Sequence, residues 1–549
     1  MNRGYFRKHS TGLALAGIVL VALGFRIFLF RFRYAIGFDE PHYLQLAASA
    51  VLNGFKNILH PHWSPMYPSL IAVMSLLVKD FELAGRLVSA ISGSLVVLPA
   101  FFLTQELFNR KTAYFIAVLI ALYPPLAFIS TSVLTESVYI LLSISGVTIG
   151  WFALKKHSII MGLITGVLFG MSYLTRPDGI GYLIVFLCVG IVLVLYNIFS
   201  KAKKARLIVI LLVSTIVFLA ISSPYLIYLR KTVGKWTLSL KWETARYDIG
   251  SLRKLSEDNK FLPVDMGWHI GNFHLLKSTQ KRVDSFSGSF LFKRVAKNYY
   301  DLIKTAIPRV LTGSLFILLI LGIFGDPLQK EKLKCSVYLI SYILFFWFAL
   351  IPFFMPLERY MLPILPICFV WIGNGINVLY RWLISSFRSL FVNWPEFLEK
   401  ANGISVLLIV IFLLFFSYLP ELGKIINRDK YSTDPWADAI EQKKAGLWLK
   451  EHTDKPPIIM CQNHSIDFYA GNYNVRQSTN IPRNKLSRIL EYAKYRGVEY
   501  IVLNERYLEN YYPHLSFLLE GKNVPPNLKL VYEDIEKNGL KTVIYKLLK

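Results

Sequence analysis

The chain has 549 residues, 54% of them hydrophobic, and a formal net charge of +26. The apolar residues are not spread as they would be over several soluble domains; they fall in repeated runs near the roughly 20 residues a helix needs to cross a bilayer core. Much of the positive charge sits in short loops between those runs, the usual sorting of Lys and Arg toward the cytoplasm, so it does not call for a nucleic-acid partner.

The first run, Thr11 to Phe30, follows a basic start (Arg3, Arg7, Lys8). No small-residue cleavage site follows it, and Arg26, Arg31 and Arg33 crowd its far end, which reads as a retained span rather than a signal peptide. Further runs lie near 83–105, 112–129, 133–152, 159–175, 180–199, 206–228, 308–325, 335–353, 361–380 and 403–419, giving about 11 spans. The stretch from Pro65 to Val78 is apolar but short and carries Pro65 and Pro68, so it is expected to be re-entrant or interfacial.

With the N-terminus inside, every cytoplasmic connection is basic: Arg110 and Lys111; Lys155 and Lys156; Lys201, Lys203, Lys204 and Arg206; Lys330, Lys332 and Lys334; Arg381, Arg388 and Lys400. The other side receives 34–82, 130–132, 176–179, 229–307, 354–360 and everything after Ser417. The membrane part is expected over 1–420. From about Tyr431 the composition becomes that of a small globular α/β domain, 431–549, placed outside the cell's inner membrane. Trp436 to His452 and Leu486 to Tyr495 have helical spacing. Pro457 to Met460 and Val498 to Leu503 read as strands, and Leu528 to Tyr532 with Lys541 to Leu547 as a hairpin closed at Asn538-Gly539. No Gly-rich phosphate loop occurs there. Cys188, Cys335, Cys368 and Cys461 have no paired spacing, so neither a disulfide framework nor a zinc motif is expected.

Polar residues gather at the outer ends of the spans. Asp39 and Glu40 lie in Gly37-Phe38-Asp39-Glu40-Pro41-His42-Tyr43, just beyond the first span. Pro41 suits a first helical turn, and the carboxylates face a favourable helix dipole. A helix cap explains such a pair, and so does a general base: an acceptor hydroxyl is a poor nucleophile, and a positioned carboxylate that takes its proton is worth roughly 10²–10⁴-fold. Arg176 and Asp178 flank Pro177 at the end of another span, either as a tight reversal or as part of a site. Arg359 and Tyr360, in Glu358-Arg359-Tyr360-Met361-Leu362-Pro363, combine a permanently charged fork that grips phosphate with a ring that orients it, though interfacial anchoring uses the same residues. Glu136 stands alone in Leu134-Thr135-Glu136-Ser137. His60 and His62, with His269 and His274 and either Glu40 or Glu136, leave a divalent metal possible, but lack a regular ligand spacing.

Together these pieces resemble the membrane glycosyltransferases of the C superfamily (GT-C), especially bacterial relatives of protein O-mannosyltransferases and of the lipid A aminoarabinose transferase. The matching motifs are Phe38-Asp39-Glu40, Met66-Tyr67-Pro68, Leu134-Thr135-Glu136-Ser137, Leu174-Thr175-Arg176-Pro177-Asp178-Gly179 and Glu358-Arg359-Tyr360-Met361-Leu362-Pro363-Ile364-Leu365-Pro366. The resemblance implies a mainly α polytopic bundle with interfacial helices in the first outer loop. It implies a polyprenyl-phosphate sugar donor and inversion at the anomeric carbon. Asp39 matches the family's catalytic base, and Glu40 and Glu136 match acidic residues that shape the site or hold a metal where one is used. Arg176 and Arg359 are candidates for the donor phosphate, with Tyr360, Asp178, His62 and Tyr67 as further substrate contacts. Where some relatives carry a basic residue after the acidic one, this chain has Pro41. Membrane lipid is a partner throughout, and the acceptor is a glycolipid, a glycan or a protein hydroxyl. A transporter or flippase of a lipid-linked glycan is the alternative, but it calls for charge in mid-span and repeated halves. A binding or assembly protein is a third reading, which adjacent acids and two Arg motifs disfavour.

Overall fold

A computed structural model describes residues 2–37, 39–196, 201–241, 288–326, 330–390, 414–432 and 438–548, the last without positions 476, 478 and 483. Among these residues seven helices are long and apolar enough to span a bilayer: Thr11–Phe32, Phe81–Leu107, Glu136–Lys156, Pro177–Tyr196, Lys203–Val233, Lys332–Phe353 and Glu358–Leu383. An eighth span forms if Phe292–Val310 and Gly313–Phe324, bent by 100°, count as one. The chain is thus a polytopic helical membrane protein.

Ten of the expected apolar runs are helical, and two differ in an instructive way. The run 112–129 breaks into Arg110–Leu122 and Pro124–Ile129. Tyr123 is extended there and Pro124 opens the next helix, because a residue before proline is pushed out of the helical region. The run 159–175 is the 17-residue helix Ile159–Thr175, grouped by length with the shorter apolar helices. The run at 403–413, the loop 242–287 with His269 and His274, and Phe38 lie outside the described residues.

Local signals account for the helix ends. Asp80, Asn109 and Ser158 cap theirs by accepting from the backbone N–H of Leu83, Thr112 and Met161. The helix Glu40–Asn53 starts with proline in its first turn and stops at Gly54, whose φ of +99° is open to glycine. Met66–Val78 follows as the short apolar helix anticipated between Pro65 and Lys79.

The C-terminal residues form a four-stranded sheet of order β1-β2-β4-β3, with β1 Ile459–Met460, β2 Tyr500–Asn504, β3 Leu528–Ile535 and β4 Lys541–Leu547. β1 runs parallel to β2, and β3 and β4 close the antiparallel hairpin, with Gly539 at φ +82° in its turn. Helices Ile440–His452 and Leu486–Tyr495 accompany it.

This sheet is tied to the membrane part at its working end. Asp438 accepts from Arg33, Arg428 and the backbone N–H of Tyr34. The Tyr469 hydroxyl donates to Glu82 and accepts from the Ile36 N–H, while Gln45 donates to the Asn472 carbonyl. Phe468, Tyr469 and Val475 share one apolar core with Tyr43, Trp63, Tyr67 and Ile71. The helix that begins at Glu40 is therefore clamped between the transmembrane bundle and the C-terminal sheet.

Candidate active site

Asp39 sits at the mouth of helix Glu40–Asn53, and its Oδ2 accepts from Arg359 Nη1 at 2.6 Å. The two side chains retain 21% and 31% of their exposure, so the pair is reachable without lying in bulk water. Burial alone would raise the carboxyl's pKa, but the Arg359 and Lys241 charges outweigh it and hold Asp39 down at about 2. Lys241 is the third member of this group. Burial lowers its pKa to about 8 against the attraction of Asp39, and its ammonium lies 4.0 Å from the centre of the Trp63 ring, within cation–π range.

Arg359 Nη2 donates to the Tyr360 hydroxyl at 3.2 Å. The Tyr360 ring lies 5.1 Å from the Arg359 guanidinium and 4.9 Å from that of Arg176. Arg176 is also 5.0 Å from the Tyr139 ring. Its Nε and Nη2 grip both oxygens of Asp178 at 3.1 and 3.3 Å, and its Nη1 donates to Glu136 Oε1 at 3.1 Å. Pro177 makes this possible: the helix stops at Thr175 and Arg176 is extended. Glu136 is 2% exposed, and its Oε2 is buried without a hydrogen-bond partner.

Asp39, Glu136, Arg176, Asp178, Arg359 and Tyr360 thus form one connected polar group drawn from four separated motifs. The remaining expected residues stand apart from it. Glu40 is fully committed to backbone: its oxygens accept from the N–H groups of Gly37 at 2.6 Å and Val133 at 2.9 Å. Burial raises its pKa against the pull of Arg33. That bonding joins the first outer loop to the 130–135 turn. Tyr67 is wholly buried, with its hydroxyl held by the Gly85 carbonyl and Ser89. His62 is buried edge-on against Trp63, and its backbone N–H donates to His60 Nδ1. Both residues support the wall of the site.

A metal at the acidic group does not fit these residues. Asp39, Glu136 and Asp178 each take an arginine, and among the described residues the one His/Cys/Asp/Glu group whose ligand atoms converge is Cys461, His464 and Asp467. Lys241 and Tyr139 escaped the sequence reading. Lys241 lies in a long polar loop where no local pattern marks it, and Tyr139 is one aromatic among many in an apolar span.

Residues 60–228 match the family model described as dolichyl-phosphate-mannose-protein mannosyltransferase. No curated protein sequence matches the chain. Among solved structures, the archaeal oligosaccharyltransferase AglB from Archaeoglobus fulgidus, in complex with an inhibitory peptide and a dolichol-phosphate, aligns with a TM-score of 0.58 at 15% identity, over 98% of this chain and 74% of its own. ArnT from Cupriavidus metallidurans bound to undecaprenyl phosphate aligns at 0.53 and 14%, over 96% of this chain and 97% of its own. The family match and the two structural neighbours agree, and the chain has the fold of the C-superfamily membrane glycosyltransferases.

Proposed function

We propose that the protein is an inverting glycosyltransferase. It takes a sugar from a polyprenyl-phosphate donor and gives it to an acceptor hydroxyl at the extracytoplasmic face of the inner membrane. The observation that carries this reading is the Asp39–Arg359 pair at 2.6 Å with Lys241 beside it. A carboxylate with a pKa near 2 is ionised but weakly basic, and the same arginine that weakens it is the natural partner of a phosphate. Donor binding draws Arg359 and Lys241 toward the phosphate. Asp39 then loses its counter-charge in a buried setting, and its basicity rises.

The acceptor O–H gives its proton to Asp39 as its oxygen bonds to the anomeric carbon. The C–O bond to the phosphate breaks on the opposite face, and the electron pair leaves on the polyprenyl phosphate, whose charge Arg359 and Lys241 hold. A single attack of this kind inverts the anomeric centre. The dolichol-phosphate and undecaprenyl phosphate named with the two structural neighbours support a carrier of this class, and the sorted loop charges support the orientation.

The test uses the full chain in nanodiscs with a panel of polyprenyl-phosphate sugars, reading by mass spectrometry which acceptor gains a hexose or pentose. Transfer that disappears in Asp39→Asn, with donor binding retained, is expected. Normal transfer by that variant, or movement of the donor across the bilayer with no transfer, would overturn the proposal.

A further inference from the structure

At the seam between the C-terminal sheet and the membrane part, three side chains of different chemistry turn toward one point. Cys461 leaves the end of β1, and His464 and Asp467 stand one helical turn apart across the start of the helix Ser465–Tyr469. Their ligand atoms all lie within 4.8 Å of one another. Cys461 Sγ is 3.8 Å from His464 Nδ1 and 3.7 Å from Asp467 Oδ2, and Nδ1 is 2.8 Å from that same Oδ2. All three residues are nearly or fully buried, and Asp467 Oδ1 is a buried carboxylate oxygen without a hydrogen-bond partner.

A cysteine, a histidine and an aspartate invite comparison with a nucleophilic triad, and the geometry argues against one. In such a relay the imidazole uses one nitrogen for the nucleophile and the other for the acid. Here thiol and carboxylate both meet Nδ1, so the atoms converge instead of forming a chain. Convergence of sulfur, nitrogen and oxygen is what a tetrahedral divalent ion of borderline softness requires. Bonds of about 2.3 Å to sulfur and roughly 2.0–2.1 Å to nitrogen and oxygen set the ligand atoms some 3.4–3.6 Å apart. Two of the three separations are slightly longer than this and one is shorter, an adjustment that small side-chain rotations make.

We propose that Cys461, His464 and Asp467 form a three-residue zinc-type site. The His42 ring lies 5.3 Å from that of His464, centre to centre, and stacks on Trp63 at 4.9 Å. His42 belongs to the helix that starts at Glu40, so an ion held by the three residues lies beside the element that presents Asp39. Phe468 and Tyr469, directly after Asp467, already pack into the core shared with Tyr43 and Trp63. The ion acts as a fastener for that seam and lies outside the transfer chemistry, so the site stands whether or not the glycosyltransferase reading does.

The experiment is metal analysis of untagged full-length protein in nanodiscs, stripped with chelator, reloaded with zinc and washed. Stoichiometric zinc is expected in the wild type, with at least a tenfold loss of affinity in Cys461→Ser and Asp467→Asn. Cys461→His, which keeps a ligand at the position, should retain the ion. Cobalt loading gives a readout that needs no variant: a thiolate-to-cobalt charge-transfer band in the wild type. Absence of that band, zinc that washes fully from the wild type, or equal zinc retention in wild type and Asp467→Asn would overturn the proposal.

Discussion

Arg359 donates a 2.6 Å charge-assisted hydrogen bond to Asp39 although 320 positions separate them in the chain. A part-buried ion pair of this kind is weak evidence for stability, because desolvation offsets the attraction. It is better understood as a latch between a base and the cation that must leave it. Asp39→Asn removes the proton acceptor while keeping its shape. Transfer should fall by roughly 10²–10⁴-fold, the usual contribution of a general base, with donor affinity unchanged or improved because Arg359 no longer has a competing anion. A fall in donor affinity parallel to the fall in rate would contradict this.

The complementary change is Arg359→Gln. In the wild type, Asp39 is held near 2 chiefly by Arg359 against burial. A folded carboxyl below its ordinary value of 3.8 contributes stability that is present above that value and lost as the pH falls toward 2. Without Arg359, burial is opposed mainly by Lys241 and the Asp39 pKa rises. The acidic limb of the pH–rate profile should therefore move to higher pH, and donor KM should increase. An acidic limb at the wild-type position would separate Arg359 from Asp39 in the working enzyme.

Lys241 titrates in an accessible range. Burial lowers it from 10.5 to about 8, so between those values the folded chain binds fewer protons than the unfolded one and stability increases with pH. Donor recruitment runs the other way, since the ammonium that attracts phosphate is lost above about 8. Donor KM should climb through that range in the wild type and stay flat in Lys241→Arg, whose guanidinium remains charged. Identical KM profiles would remove Lys241 from the donor site.

Much of this architecture was legible from hydropathy and loop charge, because a bilayer forces long apolar helices and leaves little ambiguity about where they run. Asp39, Arg176 and Arg359 stood out for the same reason: charge at the end of a span needs a partner or a purpose. Which carboxylate took which partner was not legible. Asp39 and Glu40 are neighbours in sequence, yet one meets an arginine from residue 359 and the other two backbone N–H groups. Only tertiary packing decides that. Paired cysteine spacing does not mark Cys461, His464 and Asp467, a cluster of one cysteine with its partners at three-residue intervals. Tyr67, from the Met66-Tyr67-Pro68 motif, and His62 are both buried, the one bonded to Ser89 and the other packed against Trp63.

Glu136 separates substrate contact from support. Its Oε1 takes Arg176 and its Oε2 has no partner in a buried setting, which suits a hydroxyl of the sugar or the acceptor. Glu136→Gln retains an oxygen for Arg176 but loses the charge. A hydrogen bond to a charged group contributes about 1.5–3 kcal/mol, so kcat/KM should drop roughly 10- to 100-fold with little change in melting temperature. Arg176→Ala instead strands the buried Glu136 and the part-buried Asp178 without their cation, at a cost of about 3–5 kcal/mol for the buried acid, and should lower the melting temperature sharply. A stability loss in Glu136→Gln as large as in Arg176→Ala would make Glu136 purely structural.

The bundle itself offers a test independent of chemistry. Gly322, in helix Gly313–Phe324, and Gly375, in Leu365–Leu390, face each other's backbones closely: a Cβ at Gly375 would overlap the Leu318 carbonyl, and one at Gly322 the Trp371 carbonyl. Small residues at such crossings let membrane helices approach without a hydrophobic driving force. The Asn374 amide also donates to the Gly322 carbonyl at 3.0 Å, a bond that depends on the same approach. Backbone cannot yield as a flexible side chain does, so Gly375→Ala must push the helices apart. Overpacking of this kind costs about 1–3 kcal/mol, and loss of the Asn374 bond adds to it. Gly24→Ala meets nothing within 4 Å and should be neutral or slightly stabilising through helix propensity. Thermal denaturation of the two variants in the same detergent should show a clear drop for Gly375→Ala alone; equal melting temperatures would mean that these helices do not cross at Gly375.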